Sequence, residues 1–282
     1  MTDLPGGRVG KMENRRTGAF PYLHPSGGPR RVGWPLAFAH RGANPSLGEN
    51  TMEAFRAAID RGYGYLELDV RTTRDGVVMV FHDESVERVT EGSGRIEDFD
   101  YAEVSRWRVS GQAIPRFEDV LTEWPEARLN VDIKDDRSVE PFAELVNRQG
   151  AHDRVLVASF SDVRRRRVLE LLDHPAATSP GIATVAAAVF LGKVGLMSWA
   201  GPWLKGVAAL QVPERRGILR VVTPRFLAQA HRAGVQIHVW VVDERADMDR
   251  LLDLGVDGLM TDRADVLAEA MEARGFWPQG AS

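Results

Sequence analysis

The sequence predicts an α/β fold, a TIM (β/α)8 barrel carrying a β-hairpin and a small insertion over its C-terminal face. Eight short apolar segments, ending near His40, Val70, Lys134, Phe160, Val185, Val212, Val242 and Thr261, alternate with helical periodicity through about 240 residues. Several helical stretches stop at a glycine, among them Gly62, Gly150, Gly234, Gly255 and Gly275. No Gly-rich dinucleotide fingerprint follows the first segment, which disfavours a doubly wound open sheet. At 282 residues and 44% hydrophobic content, the chain can bury a core of this size.

Residues 1–34 are rich in Gly, Pro and Arg and lack the apolar run of a signal peptide. A flexible cytoplasmic leader is expected there, its end tucked against the domain, with the barrel occupying residues 35–282. Residues 36–40 read as a buried strand ending in Arg41-Gly42. The first helix should begin at Asn50 as N-cap, with Glu53 three residues on, Met52, Phe55 and Ile59 at helical spacing, and Gly62 as the stop. From Leu66 to Asp83, two alternating segments flank Arg74-Asp75-Gly76, a link too short for a crossover helix, so they pair as a hairpin. A turn centred near Arg74 and Asp75 places His82 beside Glu67, and Met79 or Val80 beside Asp69. Residues 84–116 show little periodicity and read as the insertion over the site. Phe117, Val120, Leu121 and Trp124 resume helical spacing, a strand covers 129–134, and a helix runs from about Ser138 to Gly150. Further strands are expected at 155–160, 181–185, 208–212, 236–242 and 258–261.

The net charge of −4 argues against a nucleic-acid partner. Without cysteine there is no disulfide framework, thiolate nucleophile or Cys-based metal site, which leaves His, Asp and Glu for any metal. Lysine occurs only at Lys11, Lys134, Lys193 and Lys205, so one inside a motif is informative. From Ala183 to Leu204 the single charge is Lys193, but Gly192, Gly195, Gly201 and Pro202 break the run. A barrel helix with an exposed apolar corner is expected rather than a membrane span, with transient lipid contact between Phe190 and Trp203. Arg164 to Arg167 reads as a solvated helix face.

Along the strand from Tyr65, Glu67 and Asp69 share the face of Tyr65, while Leu66, Leu68 and Val70 point the other way. The strand at 129–134 repeats this pattern, with Asn130, Asp132 and Lys134 on one face. In a TIM barrel the active residues lie at C-terminal strand ends, where His40, Glu67, Asp69, Lys134 and Trp240 fall. If both polar faces turn inward, Glu67, Asp69 and Asp132 converge and repel unless a cation joins them, and a hard divalent ion with oxygen ligands suits that set. The plain alternative is a charge network closed by Lys134 and Arg41. His40 and His82 could be a strand cap and a hairpin hydrogen-bonder, but beside three carboxylates they suit a general acid and base pair. Arg41 and Lys134 then supply fixed positive charge for an anion, most simply a phosphate. Trp240 and Gln211 are each either barrel packing or pocket wall.

The ordered set His40-Arg41-Gly42, Glu49-Asn50-Thr51, Glu67-Leu68-Asp69-Val70, Thr73-Arg74-Asp75-Gly76, His82-Asp83, Asp132-Ile133-Lys134, Trp240 and Thr261-Asp262 resembles the glycerophosphodiester phosphodiesterase family across residues 36–270. The resemblance implies a TIM barrel and metal-dependent hydrolysis of a small glycerophosphodiester to sn-glycerol 3-phosphate and an alcohol. It implies His40 and His82 as acid and base, Glu67, Asp69 and Asp132 as ligands of a divalent cation (Mg2+ or Ca2+), and Arg41 and Lys134 as phosphate contacts. Glu49 is a supporting residue, and His40 is assigned the base role and His82 the acid role. The family usually has glutamate where this chain has Asp132, so direct ligation there requires the strand or the ion to move. Alternatives are a lysophospholipase D-type activity on lipid substrates, a Schiff-base lyase through Lys134, and a binding module without turnover, against which the intact His40 and His82 speak.

Overall fold

The computed structural model describes residues 20–23 and 33–280. Eight parallel strands, β1 (Leu36–His40), β2 (Tyr65–Thr72), β3 (Arg128–Ile133), β4 (Val155–Ala158), β5 (Ala177–Ser179), β6 (Ala209–Pro213), β7 (Gln236–Trp240) and β8 (Gly258–Thr261), alternate with helices. They pair in the order β5-β4-β3-β2-β1-β8-β7-β6. Between β5 and β6, the Ala208 amide donates to the Thr178 carbonyl at 2.9 Å. The result is a nearly closed (β/α)8 barrel, the fold expected.

Alternation along the strands sorts the side chains into two cores. Phe38, Tyr65, Leu156, Ala177 and Met260 fill the barrel interior together with Tyr22 and Leu23. The hydroxyl of Tyr65, at the start of β2, donates to the Tyr22 carbonyl at 2.8 Å, which fixes that short segment at the N-terminal end of the barrel. The rest of the expected leader, apart from residues 33 and 34, lies outside the described residues. Leu66, Leu68 and Val70 face outward and join Phe55, Phe117 and Phe142 from the surrounding helices. Register places the polar faces together: β2 sets Glu67 beside Asn130 and Asp69 beside Asp132 of β3, and β1 sets His40 beside Glu67.

The hairpin forms one residue out of the expected register. Val70 pairs with Val80 and Thr72 with Val78, and the Thr73 amide donates to the Val77 carbonyl at 3.0 Å. The loop is therefore the three residues Arg74-Asp75-Gly76, with Gly76 left-handed at φ 88°, and such a loop centres the turn on Asp75. Phe81, rather than Met79 or Val80, lies against Asp69, its amide donating to the Asp69 carbonyl at 2.9 Å. His82 thereby falls one residue short of the position opposite Glu67.

Three further expectations are corrected. The cap of the first helix, Met52–Asp60, is Thr51, whose side chain accepts from the Ala54 amide at 3.2 Å, while Asn50 at φ 57° turns toward the site. The fifth strand is Ala177–Ser179, and the segment 181–185 instead opens the helix Ile182–Val194. Pro175 and Pro180 bracket a strand of small residues with no apolar run, whereas the alanines after Val185 carry the helix onward. Arg165 is buried and donates to the Thr178 hydroxyl at 3.3 Å, so the arginine run is only partly a solvated face.

The insertion is compact. Val86, Ile96, Val104, Val109 and Ile114 pack on Met79 and Phe81 of the hairpin, and Arg74 at the hairpin tip donates to Asp100 at 2.9 Å. Among the described residues no helix is long and apolar enough to cross a membrane.

On the helix Pro224–Arg232, His231 faces Asp257 at 2.7 Å. This hydrogen bond, outweighing partial burial, raises the imidazole pKa above 6.5. A raised folded-state pKa gives stability that is fully present below the unfolded value and is lost as pH climbs through the folded one. His231→Gln should therefore lower the melting temperature more at about pH 5.5 than at about pH 8.5. Thermal melts showing the same deficit at both would mean that the pair contributes nothing through its charge.

Candidate active site

β1 ends at His40, and the chain then turns sharply. Arg41 and Ala43 adopt φ 50° and Gly42 φ 90°. A side chain at Gly42 would place its Cβ 2.6 Å from that of Ala54, so only glycine lets the first helix pack this close. The turn directs the Arg41 guanidinium back over the barrel mouth, its Nε 3.0 Å from Asp69 and its Nη1 3.1 Å from Glu49. His40 is held by Asp262 at the end of β8, Nδ1 to Oδ1 at 2.6 Å, and its Nε2 lies 3.7 Å from Glu67.

His82 is anchored in the same manner, its Nδ1 2.6 Å from the carboxylate of Asp83. Asp83 pairs with Arg88, Arg88 with Glu49 at 2.6 Å, and Glu49 with Arg41. Alternating charges thus run from His82 to Arg41, the residue that follows His40. The barrel carboxylate that acts on His82 is Asp69, which favours its protonated form.

Asp69 is 1% exposed and is the most heavily compensated group of the site. Lys134 Nζ sits 2.9 Å from it and 2.6 Å from Asp132, and the Asn50 side-chain amide donates to it at 2.9 Å. Burial would raise its pKa, but Lys134, Arg41 and His82 together hold it well below the usual carboxylate range. Glu67 moves the opposite way: burial dominates, His40 opposes it, and the Asp69 charge pushes it further up. For His40, burial pulls down, yet Glu67 and the hydrogen bond to Asp262 win and the pKa rises. For His82, burial together with Lys134 outweighs Asp69 and Asp83 and the pKa falls. Burial also opposes the Lys134 charge, but Asp69 and Asp132 raise its pKa, so it stays an ammonium and is unsuited to forming a Schiff base.

The carboxylates suit a hard cation. Among the described residues, Asp132 Oδ1 and Asn130 Oδ1 are buried without a hydrogen-bond partner, and burial, with the Asp69 charge, drives Glu67 toward neutrality. Unmet oxygen donors of this kind are what a divalent ion with oxygen ligands satisfies. A second cluster, His152, Asp173 and His174, brings one donor atom each within 4.8 Å, but His152 precedes β4 and the group lies at the opposite end of the barrel.

His40, Arg41, Glu67, Asp69, His82, Asp132 and Lys134 line one cavity of about 810 Å³ that also takes in Asn130, Gln211 and Trp240. Trp240 is therefore pocket wall, its ring 6.5 Å from Phe160, while His238 on the same strand is buried and bonded to Gln236 at 3.0 Å. Four supporting residues carry no site role in the sequence reading: Asp262, Asp83, Arg88 and Asn50, the last expected only as a helix cap. Asp83 and Asp262 stand inside the motifs, each a carboxylate at a strand or hairpin end, which was a usable signal. Arg88 carried none.

Residues 40–266 match the glycerophosphoryl diester phosphodiesterase family. The chain belongs to that family. It is a phosphoric diester hydrolase. It is 41% identical over 249 residues, 88% of this chain and 94% of the relative, to a probable glycerophosphodiester phosphodiesterase 2 of Mycobacterium tuberculosis. It is 26% identical over 269 residues to the lysophospholipase D GDPD1 of Rattus norvegicus, covering 82% of this chain and 84% of that protein. The barrel is similar, with a TM-score of 0.72 and 20% identity, to an Oleispira antarctica phosphodiesterase solved in complex with the product sn-glycerol-3-phosphate, over 85% of this chain and 97% of that one.

Because Asp262 raises the His40 pKa, Asp262→Asn should move the His40 titration to lower pH in metal-free protein, as followed by NMR. An unmoved titration would leave Asp262 as a packing contact only.

Proposed function

We propose that the protein hydrolyses glycerophosphodiesters to sn-glycerol 3-phosphate and an alcohol, with His40 as general base and His82 as general acid. The observation that carries this reading is the two imidazoles, each backed by a carboxylate at 2.6 Å, lining one cavity with Arg41 and Lys134. With Nδ1 committed to a carboxylate, each ring keeps Nε2 for proton transfer. His40 takes the proton from the attacking water or hydroxyl, and His82 delivers one to the leaving oxygen. Arg41 and Lys134 hold the phosphate and meet the charge that develops on it.

Glu67, Asp69 and Asp132 would hold a divalent cation, Mg2+ or Ca2+. Bound there, the cation supplies positive charge to the phosphate oxygens and, by engaging Glu67, weakens the interaction that raises His40. The His40 base role depends on that change, since the protein's own charges favour keeping His40 protonated.

His40→Ala and His82→Ala should each lower kcat on glycerophosphocholine by roughly 10² to 10⁴ fold with the fold intact. On a diester with a p-nitrophenolate leaving group, which needs no proton, His82→Ala should recover most of its loss and His40→Ala none. Equal losses on both substrates in both variants would overturn the division of roles.

Asp132 ends about 1.5 Å nearer its strand than glutamate would, against metal–oxygen distances of roughly 2.0–2.6 Å. Asp132→Glu should keep or tighten metal affinity, and Asp132→Ala should lose most activity at limiting metal, with calorimetry and initial rates as the measurements. Wild-type rate and affinity in Asp132→Ala would remove Asp132 as a ligand and bring Glu49 forward.

A lysophospholipase D-type activity is favoured by one observation. Beyond the charged groups the cavity continues along Ile182, Val185, Val189, Phe190 and Leu219, an apolar wall that a choline diester leaves unused and an acyl chain would cover. The ratio of kcat/KM on lysophosphatidylcholine to that on glycerophosphocholine separates the two.

A further inference from the structure

We infer that the face formed by the end of the helix Ile182–Val194, the turns after it and the hairpin at residues 215–220 docks on an anionic lipid surface. Large apolar side chains stand in solvent there: Phe190, Trp199 and Trp203 are 66%, 71% and 57% exposed, and Leu196, Ile218 and Leu219 are exposed beside them. The pieces form one surface, since Lys193 donates to the Arg220 carbonyl and Arg225 to the Val194 carbonyl at 2.8 Å.

Charge selects the occupant. Residues 182–225 carry six basic side chains, Lys193, Lys205, Arg215, Arg216, Arg220 and Arg225, and one acid, in a chain whose net charge is −4. That acid, Glu214, is largely covered and is shared among Arg250 at 2.7 Å, Arg215 at 3.4 Å and Arg220 at 3.9 Å, so one carboxylate offsets only part of the positive charge and leaves the face basic. A second copy meeting this face through a two-fold axis would set cations against cations. A bilayer satisfies both features at once: tryptophan, phenylalanine and isoleucine enter the interface while lysine and arginine meet anionic headgroups.

The location gives the docking a consequence. Phe190, Lys193, Arg216 and Leu219 line the catalytic cavity as well as this face, so a docked molecule opens its cavity toward the lipid. A diester carried in a membrane would then reach His40 and His82 without leaving the interface. This consequence rests on the catalytic reading of the cavity, whereas the docking itself does not.

The test is cosedimentation of the full chain with vesicles of phosphatidylcholine alone and of phosphatidylcholine mixed with phosphatidylglycerol. Binding to the anionic vesicles is expected, weakening with added salt. Trp199→Glu combined with Trp203→Glu, and separately Lys205→Glu combined with Arg215→Glu, should each weaken it by about tenfold or more. Both double variants should melt like wild type and match its turnover of soluble glycerophosphocholine. Equal partition onto both vesicle types, or binding untouched by either double variant, would overturn the proposal. So would a dimer in sedimentation velocity that the tryptophan substitutions dissolve, because it would assign the face to a second copy. Vesicle binding without hydrolysis of the soluble diester would leave docking standing and sink the catalytic reading instead.

Discussion

The mouth of the barrel depends on keeping Asp69 ionised while it is buried. A carboxylate placed in a barrel wall is strongly unfavourable unless positive charge and hydrogen bonds meet it there. Here they come from three separate pieces of chain: Lys134 past the end of β3, Arg41 past the end of β1, and Asn50 ahead of the first helix. One buried charge therefore ties β1, β2 and β3 together at the end of the barrel that holds the site. It also accounts for the local backbone. Arg41 and Asn50 both adopt positive φ, a conformation that costs side-chain-bearing residues energy, and both end on Asp69.

The same charge divides the site electrically. At Glu67, one pleat away, burial and the charge of Asp69 outweigh His40, Lys134 and Arg41, and its proton affinity rises. His40 gains affinity for a proton because Glu67 and Asp262 outweigh its burial, while His82 loses it because burial, with Lys134 adding to it, outweighs Asp69 and Asp83. Lys134 stands between Asp69 and Asp132, at 2.9 and 2.6 Å, and offsets both carboxylates.

Outside the charged centre, the apolar wall and the exposed corner are one continuous feature. The helix Ile182–Val194 contributes Val185 and Val189 to the cavity and Phe190 to both cavity and surface. β5 ends level with β4, Ser179 opposite Ala158, and only Pro180 and Gly181 separate it from the helix, which sets the helix at the cavity edge.

The sequence alone determined the barrel, the inward polar faces of β2 and β3, and the residues His40, Arg41, Glu67, Asp69, His82, Asp132 and Lys134 as one group. Period-two alternation is a local property, and carboxylates repeated on the same face of two apolar strands point to a shared polar centre. Only the tertiary structure decided who partners whom. Asp262 reaches His40 across 222 positions and Arg88 reaches Glu49 across 39, pairings that depend on barrel closure and on the path of the insertion. The hairpin register turned on whether the loop held two residues or three, which the text Arg74-Asp75-Gly76 leaves open until the strands pair. The fifth strand was invisible for a related reason: of its three residues only Thr178 favours a strand, too little to signal one between two prolines, and pairing with β4 makes it one.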